Sequence, residues 1–162
     1  MQVDFRILRI AQSKKSAVAY IVDREPVVEQ GYDIAIQFDG DGQHEAMYLH
    51  DLIQPITGGV AEITIGSRFI EKEGFQSSRA RRLGIHVLSR LIRMLCGVRV
   101  VDVTSGMRAV NKRFIEIYAD DYAQDYPEPE AILYAGLCGA RIVEVPVQMR
   151  ERESGTSSIS ML

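Results

Sequence analysis

The sequence has no tryptophan, only two cysteines and no long uninterrupted apolar run. Cys96 and Cys138 are too few for a disulfide framework or a zinc site, and each lies in an apolar stretch, so buried free thiols are expected. A membrane-spanning helix needs about 20 predominantly apolar residues, and neither such a stretch nor a signal peptide is apparent. We therefore expect a cytoplasmic protein, which is compatible with contact at the inner face of a membrane.

The sequence also lacks the two glycine-rich motifs that bind the phosphates of common cofactors. Neither Gly-x-Gly-x-x-Gly nor Gly-x-x-x-x-Gly-Lys-Ser/Thr occurs, so neither dinucleotide nor P-loop chemistry is indicated. The net charge is only −3, and no nucleic-acid partner is expected. The charges are unevenly distributed, because Arg79–Arg113 holds nine basic residues and one acid, whereas Glu116–Glu130 holds six acids and no Lys or Arg. This pattern predicts a basic surface for anionic ligands beside an acidic segment.

The 162 residues are enough for one domain with a real core, so residues 1–162 are expected to form a single domain. Runs of apolar periodicity predict five strands and five helices in alternation. The predicted strands are Phe5–Ile10, Ile34–Phe38, Glu62–Ser67, Val98–Val103 and Arg141–Met149, and the predicted helices are Lys14–Gln30, Glu45–Ile56, Arg79–Cys96, Asn111–Ala119 and Glu128–Cys138. This order predicts an α/β fold of three layers, α/β/α, around a mostly parallel sheet.

A polar turn after the Ile34–Phe38 strand is the first candidate site. Asp39, Asp41 and Gln43 are spaced two apart with glycines between them. Ligand sites in open α/β sheets lie beyond the carboxyl ends of strands, and Mg²⁺ prefers carboxylate and other oxygen ligands. The turn therefore predicts a metal–phosphate half-site, although a polar strand-to-helix turn with Asp as a helix cap is an alternative. A third interpretation is a phosphatase of the haloacid dehalogenase type, in which Asp39 would be the nucleophile.

Five motifs then occur in a recognisable order. They are Phe38-Asp-Gly-Asp-Gly-Gln-His, Ile65-Gly-Ser-Arg-Phe, Asp102-Val-Thr-Ser-Gly-Met-Arg-Ala-Val-Asn, Tyr126-Pro-Glu-Pro-Glu and Val145-Pro-Val-Gln-Met-Arg-Glu-Arg. Together they resemble family 2 glycosyltransferases with the GT-A fold, in the branch similar to dolichyl-phosphate mannose synthases and bacterial polyprenyl-phosphate sugar transferases. The resemblance runs from about Gly31 to Ile159. It implies a nucleotide-sugar donor and suggests a polyprenyl-phosphate acceptor.

The resemblance implies roles for the acidic turn and for the C-terminal tail. Asp39 would contact the diphosphate region of the donor, and Asp41 and Gln43, with Asp39, would ligate Mg²⁺ or Mn²⁺. The tail resembles the segment that closes over the diphosphate in the family, and its matching residues are Arg150, Arg152 and Ser157. Guanidinium groups suit phosphate oxygens, but a solvated, self-paired charge run is an alternative for the two arginines.

On the acceptor side, Asp102 resembles an acidic residue in a loop after a strand. A structural ion pair with a nearby arginine is the alternative for this carboxylate. Glu128 and Glu130 match positions where many family 2 enzymes place a general base, and Glu130 is slightly favoured. A base is needed when the acceptor is a hydroxyl, whereas a polyprenyl phosphate is already ionised, and the two acids would then only shape the pocket or cap a helix.

The predicted Arg79–Cys96 helix has an apolar stripe at Leu83, Val87, Leu91 and Leu95, with arginines on another face. Its basic face could lie against anionic lipid or attract a lipid phosphate, which predicts peripheral membrane contact. The alternative is an ordinary amphipathic helix that packs on the core and leaves its arginines in solvent.

The first 30 residues depart from the family pattern. The two N-terminal strands that grip the nucleoside in the family have no counterpart, so a partial catalytic domain truncated at its N-terminus is expected. Such a chain could be a catalytically inactive module instead of an enzyme. A sheet without its first strands would expose an edge that invites pairing, so a homo-oligomer is also expected.

Overall fold

The described part of the chain is an α/β domain with one mixed sheet. The structure is a computed structural model, and it describes residues 11–13, 16–19, 32–39, 45–71, 79–120 and 127–149. The strands are β1 (Ala11–Ser13), β2 (Ser16–Ala19), β3 (Ile34–Asp39), β4 (Ile63–Ser67), β5 (Arg108–Asn111) and β6 (Ile142–Pro146). The helices are α1 (Leu49–Thr57), α2 (Arg79–Cys96), α3 (Lys112–Asp120) and α4 (Pro127–Leu137), and a 3-10 turn at Ala46–Tyr48 precedes α1.

The sheet has the strand order β1-β2-β3-β5-β4-β6. Among the described strands only β4 and β6 pair in parallel, and the other four pairs are antiparallel. The prediction of a mostly parallel sheet is therefore wrong for this part of the chain. The main reason is β5, which runs between β3 and β4 in the opposite direction to both.

The strand predicted at Val98–Val103 does not form, and β5 forms after it instead. Val100 and Val103 are buried as the pattern requires, but their segment does not join the sheet. The carboxylate of Glu144 accepts hydrogen bonds from the backbone N–H groups of Val101 and Asp102, both at 2.8 Å. A side chain thus satisfies backbone groups that would otherwise need a neighbouring strand, and the chain can turn before it enters the sheet at β5.

The helix predicted for Lys14–Gln30 is also wrong where the structure describes the chain. Ser16–Ala19 is strand β2, which pairs with β3 so that Val18 lies opposite Asp39. An unpaired β3 would expose a row of backbone donors and acceptors, and β2 pairs with its last two residues, Phe38 and Asp39. The predicted strand Phe5–Ile10 lies outside the described residues. The homo-oligomer stays a prediction.

The apolar side chains divide into two clusters. The larger one joins Ile63 and Ile65 of β4 to side chains of three helices, and these include Ile85, Ile92, Phe114, Ile115 and Ile132. The second is built around Leu52 of α1 with Met107, Ala109, Val147 and Met149. Neighbouring residues of β5, Ala109 and Val110, belong to different clusters, as alternation along a strand requires. The α/β class is confirmed, and the three-layer arrangement stays a prediction.

Helix α2 begins and ends where the sequence predicts, but its apolar stripe does not face the core. Leu83, Val87, Leu91 and Leu95 are 48–66% exposed, and Ile85 and Ile92 are buried instead. The alternative in which this stripe packs on the core is therefore wrong. Within the described ranges, none of the helices combines the length and the apolar character that crossing a membrane requires.

Candidate active site at the carboxyl edge of the sheet

Strands β3, β4 and β6 end, and strand β5 begins, at the same edge of the sheet. Strand β3 ends at Asp39, and Ser67 at the end of β4 lies opposite Pro146 at the end of β6. Strand β5 starts at Arg108, whose partners across the sheet are Gln37 and Ile65. The loop before β5 must therefore lie at the carboxyl edge of β3 and β4. This is the edge at which ligand sites of open α/β sheets are found.

The register brings several predicted site positions to this edge. Asp39 closes β3, the loop that carries Asp102 leads into β5, and the residues after β6 lead toward the predicted tail. The other predicted donor-side residues lie outside the described residues, and they are Asp41, Gln43, Arg150, Arg152 and Ser157. Their roles stay predictions.

Arg68 and Asp102 form a buried, bidentate ion pair at this edge. The Arg68 Nε and Nη2 atoms donate to the two Asp102 carboxylate oxygens at 2.7 Å each, and the Arg68 backbone N–H donates to Oδ2 at 3.2 Å. The side chains are 8% and 0% exposed. Thr104 extends the pair, because its Oγ1 accepts from Arg68 Nη2 at 3.0 Å and donates to Asp102 Oδ1 at 3.3 Å.

This geometry makes Asp102 a structural residue. Both of its oxygens already accept charge-assisted hydrogen bonds from Arg68, the strongest kind in a protein interior. The alternative weighed from the sequence, an ion pair with a nearby arginine, is what the structure contains. The pair fixes the loop before β5 against the end of β4, and the catalytic role of Asp102 stays a prediction.

Ser105 and Glu144 hold the same loop from two further sides. The Ser105 hydroxyl donates to the carbonyl of Gly66 at 2.5 Å and accepts from the backbone N–H of Met107 at 3.3 Å. Glu144, on β6, accepts from the two backbone N–H groups already described. The loop is thus connected to β4 by a buried hydrogen bond and to β6 by two that are less buried.

Arg108 links this loop to the first turn of α4. Its side chain is 3% exposed, and its Nη2 donates to the Ser105 carbonyl at 3.0 Å while its Nη1 lies 3.5 Å from the Glu128 carbonyl. Glu128 and Glu130 both lie in that first turn, Glu128 half-buried and Glu130 exposed. Acids in a first helical turn interact favourably with the helix dipole. The structure therefore brings the two predicted acids to the same edge as the loop.

A cationic and aromatic cluster borders the site on the side of α2. The guanidinium carbons of Arg68 and Arg82 lie 5.3 Å and 5.7 Å from the centre of the buried Phe69 ring. Both distances are within the range of cation–π attraction. The start of α2 is thereby attached to the chain segment that leaves β4.

Comparison with known proteins finds three sugar transferases that are similar to this chain. The dolichyl-phosphate N-acetylglucosaminyltransferase of Methanococcus voltae, which uses UDP-N-acetylglucosamine by its name, is 31% identical over 140 residues, 85% of this chain and 56% of the relative. The polyprenol monophosphomannose synthase of Mycolicibacterium smegmatis is 31% identical over 149 residues, 88% of this chain and 55% of the relative. The undecaprenyl-phosphate mannosyltransferase of Micrococcus luteus is 30% identical over 146 residues, 88% of this chain and 59% of the relative.

The chain is homologous to the polyprenyl-phosphate sugar transferases. The resemblance based on the five motifs is confirmed by these relatives. The chain spans between half and two thirds of the length of each of the three. A scan against protein-family models gave no match.

The donor set predicted for this transferase homologue suits a hard divalent cation by its chemistry. Two carboxylates and one amide oxygen are ligands of the kind that Mg²⁺ and Mn²⁺ prefer. Asp39 stands at the carboxyl edge of the sheet, as the last residue of β3. Among the described residues no group of three or more His, Cys, Asp or Glu side chains could hold a metal ion, and the metal and its ligands stay predictions.

Sequence reasoning missed Arg108 and Glu144. Arg108 stands between the apolar residues Met107 and Ala109, and Glu144 stands between Val143 and Val145. A charged residue inside a short apolar strand is costly unless its charge is paired or hydrogen-bonded. That interruption is the signal that would have marked both residues as parts of a polar network.

Proposed function

We propose that this chain is the catalytic part of a family 2 glycosyltransferase with the GT-A fold. It moves a sugar from a nucleotide-diphosphate sugar to a polyprenyl phosphate, and it uses Mg²⁺ or Mn²⁺. The observation that supports this most is the convergence at one sheet edge of the end of β3, the Arg68–Asp102 loop and the first turn of α4. The three relatives differ in the sugar that their names give, but each name contains a polyprenyl or dolichyl acceptor.

On the donor side, the proposal assigns the diphosphate to the turn after β3. Asp39, Asp41 and Gln43 supply oxygen ligands there, and the bound metal would neutralise the negative charge that develops on the nucleoside diphosphate as it leaves. Arg150 and Arg152, with Ser157, hold the diphosphate from the other side, because planar guanidinium groups match phosphate oxygens.

On the acceptor side, the attacking atom is a phosphate oxygen that is ionised at neutral pH, so no general base has to remove a proton. Glu128 and Glu130 then shape the acceptor side, and the nearby cation of Arg82 attracts the phosphate. Loss of a general base costs about 10²- to 10⁴-fold in rate. We therefore expect Glu130→Gln to reduce transfer to a polyprenyl phosphate by less than about tenfold, and a loss of 10²-fold or more would assign Glu130 as a base.

Calorimetry tests the donor and metal half of the proposal. UDP- and GDP-sugars are titrated into the chain with and without Mn²⁺, and at least one donor should bind in a metal-dependent manner. Asp41→Ala should abolish that binding, while Asp51→Ala, which changes an exposed carboxylate on α1, should leave it unchanged.

Two other results would replace the proposal. Absence of binding for every donor by the wild-type chain would favour a catalytically inactive transferase-like module. Capture of a phosphoryl group on Asp39 would favour an aspartate-nucleophile phosphatase.

A further inference from the structure

The charges of two buried arginines at the carboxyl edge are met differently. Arg68, whose side chain is 8% exposed, forms the bidentate ion pair with Asp102. Arg108 is 3% exposed, and its guanidinium contacts only main-chain oxygens, those of Ser105 at 3.0 Å and Glu128 at 3.5 Å. Among the residues that the structure describes, no carboxylate forms an ion pair with Arg108. Its positive charge is therefore buried without a counter-ion.

A buried charge of this kind is costly for the fold. Carbonyl dipoles offset part of the lost hydration of Arg108, but they carry no net charge. Its Nε atom is buried and has no hydrogen-bond partner in the described part of the chain. An apolar side chain of similar size would often be as stable at such a position. Proteins break local rules of stability mainly at sites that bind or react, so Arg108 is a candidate for binding an anion.

A second buried donor without a partner lies on the same face of the sheet. Ser67, the last residue of β4, is 0% exposed, and its hydroxyl has no hydrogen-bond partner within the described ranges. Arg108 lies opposite Ile65 in the register of β4 and β5, and side chains alternate between the faces of a strand. Ser67 and Arg108 therefore occupy diagonal positions on one face, about 7 Å apart.

We propose that Arg108 and the Ser67 hydroxyl bind a phosphate group at the end of β4. The phosphate oxygens accept hydrogen bonds from both side chains, and their negative charge neutralises the guanidinium. Planar guanidinium donors match phosphate oxygens, and the carboxyl edge is where open α/β sheets bind ligands.

Both donors are closed to water in the ligand-free chain, so a neighbouring segment has to move when the phosphate binds. The contact between Arg108 Nη1 and the Glu128 carbonyl is the longer of the two that Arg108 makes, at 3.5 Å. Hydrogen bonds weaken at such distances. The first turn of α4 is therefore the segment that moves away, and it is the turn that carries Glu128 and Glu130.

The source of the phosphate rests on the proposed function, whereas the anion site itself does not. In the proposed reaction a phosphate group belongs either to the diphosphate of the donor or to the polyprenyl phosphate. Inorganic pyrophosphate represents the first and geranyl monophosphate the second. Calorimetry with each probe, without metal and at low salt, should show binding of at least one of them to the wild-type chain.

Substitutions of Arg108 separate its charge from its hydrogen bonds. Arg108→Gln keeps side-chain donors without the charge and should weaken binding of that probe at least about tenfold. Arg108→Lys keeps the charge and should bind at least about threefold more tightly than Arg108→Gln. Arg113→Gln removes a half-exposed cation at the other end of β4 and should bind as the wild type does.

Two hydroxyls of β4 give a second matched comparison. Ser67→Ala should weaken binding about fivefold, since it removes one hydrogen bond to the anion. Thr64→Val is the control, because the Thr64 hydroxyl is also buried without a partner but Thr64 lies opposite Ala109, on the other face of the sheet. Thermal unfolding of each variant without ligand shows that the compared chains are folded.

Lack of binding of both probes by the wild type would overturn the proposal. Equal affinities of the wild type, Arg108→Gln and Ser67→Ala would overturn it too, because the two donors would then serve the fold or a buried water. Neither probe contains a nucleoside or a sugar, and no transfer is measured. A failure here is therefore separate from a failure of the proposed function, which depends on binding a nucleotide sugar with metal.

Discussion

Strand β4 lies between two carboxylate–arginine pairs that differ in their surroundings. Before its first residue, Glu62 pairs with Arg113 at 2.9 Å, with side chains 12% and 48% exposed. After its last residue, Arg68 pairs with Asp102 at 2.7 Å, with side chains 8% and 0% exposed. The ionic distances are nearly equal, so the difference between the two ends lies in solvent access.

That difference separates a solvent-accessible ion pair at one end of β4 from a buried one at the end that carries the candidate site. An ion pair in contact with water contributes between 0 and about 1 kcal/mol, because water already solvates both charges. A buried pair has lost that solvation, and each partner depends on the other. The loop before β5 is therefore held against β4 only while both partners of the Arg68–Asp102 pair are present.

The largest expected effect comes from breaking the buried pair. Asp102→Ala leaves the Arg68 guanidinium buried without a counter-charge, so the free energy of unfolding should fall by about 3–5 kcal/mol. Urea denaturation measures the change. The double variant Arg68→Met/Asp102→Leu should recover most of the loss, since no unpaired charge remains. A single variant that loses less than about 1 kcal/mol would show that solvent reaches the pair.

The second prediction compares a buried hydroxyl with an exposed one. Ser105→Ala removes the donor to Gly66 and the acceptor for Met107 in a site that is 1% exposed, so we expect a loss of about 1–3 kcal/mol in unfolding free energy. Thr57→Ala is the matched control, because its exposed hydroxyl donates to helix carbonyls of Ile53 and Gln54. It should change stability by less than about 0.5 kcal/mol. Equal losses would show that burial adds nothing to the contribution of the Ser105 hydroxyl.

The third prediction concerns the exposed pair. Glu62→Gln should lower the free energy of unfolding by at most about 1 kcal/mol at neutral pH, because the Arg113 side chain is half in solvent and screening limits the gain. Thermal or urea unfolding at two salt concentrations measures this change. The difference in unfolding free energy between the wild type and Glu62→Gln should shrink further as salt is added.

The fourth and smallest effect is the pH dependence of that pair. Burial by itself raises the pKa of the Glu62 carboxyl. The hydrogen bonds that it accepts from Arg113 and from the backbone N–H of Arg141, and the charges of both arginines, lower it. The net result is a pKa below the ordinary value of 4.5. A carboxyl whose pKa is lower in the folded state than in the unfolded state stabilises the protein at pH values above its unfolded-state pKa. That stabilisation is lost as the pH falls through its folded-state pKa. The difference between wild type and Glu62→Gln should therefore shrink on acidification below about pH 4.5. A difference that grows toward acid pH would contradict the stated direction.

Much of the fold followed from local signals in the sequence. The strands β3 and β4 and the helices α2 and α3 lie at or within about two residues of their predicted bounds, because each has clear apolar periodicity and a defined stop. Asn111, for example, ends β5 and accepts a hydrogen bond from the Phe114 N–H at the start of α3. Such capping is a local interaction that sequence patterns carry.

The rest depended on contacts between distant residues. Val98–Val103 has the composition of a strand, but Glu144, more than 40 residues later, takes two of its backbone donors. Periodicity also showed that α2 has an apolar stripe without showing whether protein covers it. For the site, the sequence marked Asp102 and the acids of α4, whereas the ion pair of Asp102 and the place of Arg108 required the folded arrangement.

The most direct test of the central claim is sugar transfer into lipid. The chain is incubated with radiolabelled UDP- or GDP-sugars, Mn²⁺ and a polyprenyl phosphate in detergent, and label is measured in the organic phase. We expect labelled lipid from at least one donor, its loss in Asp41→Ala and its retention in Asp51→Ala. Absence of labelled lipid from every donor, or equal labelling by Asp41→Ala and the wild type, would contradict it.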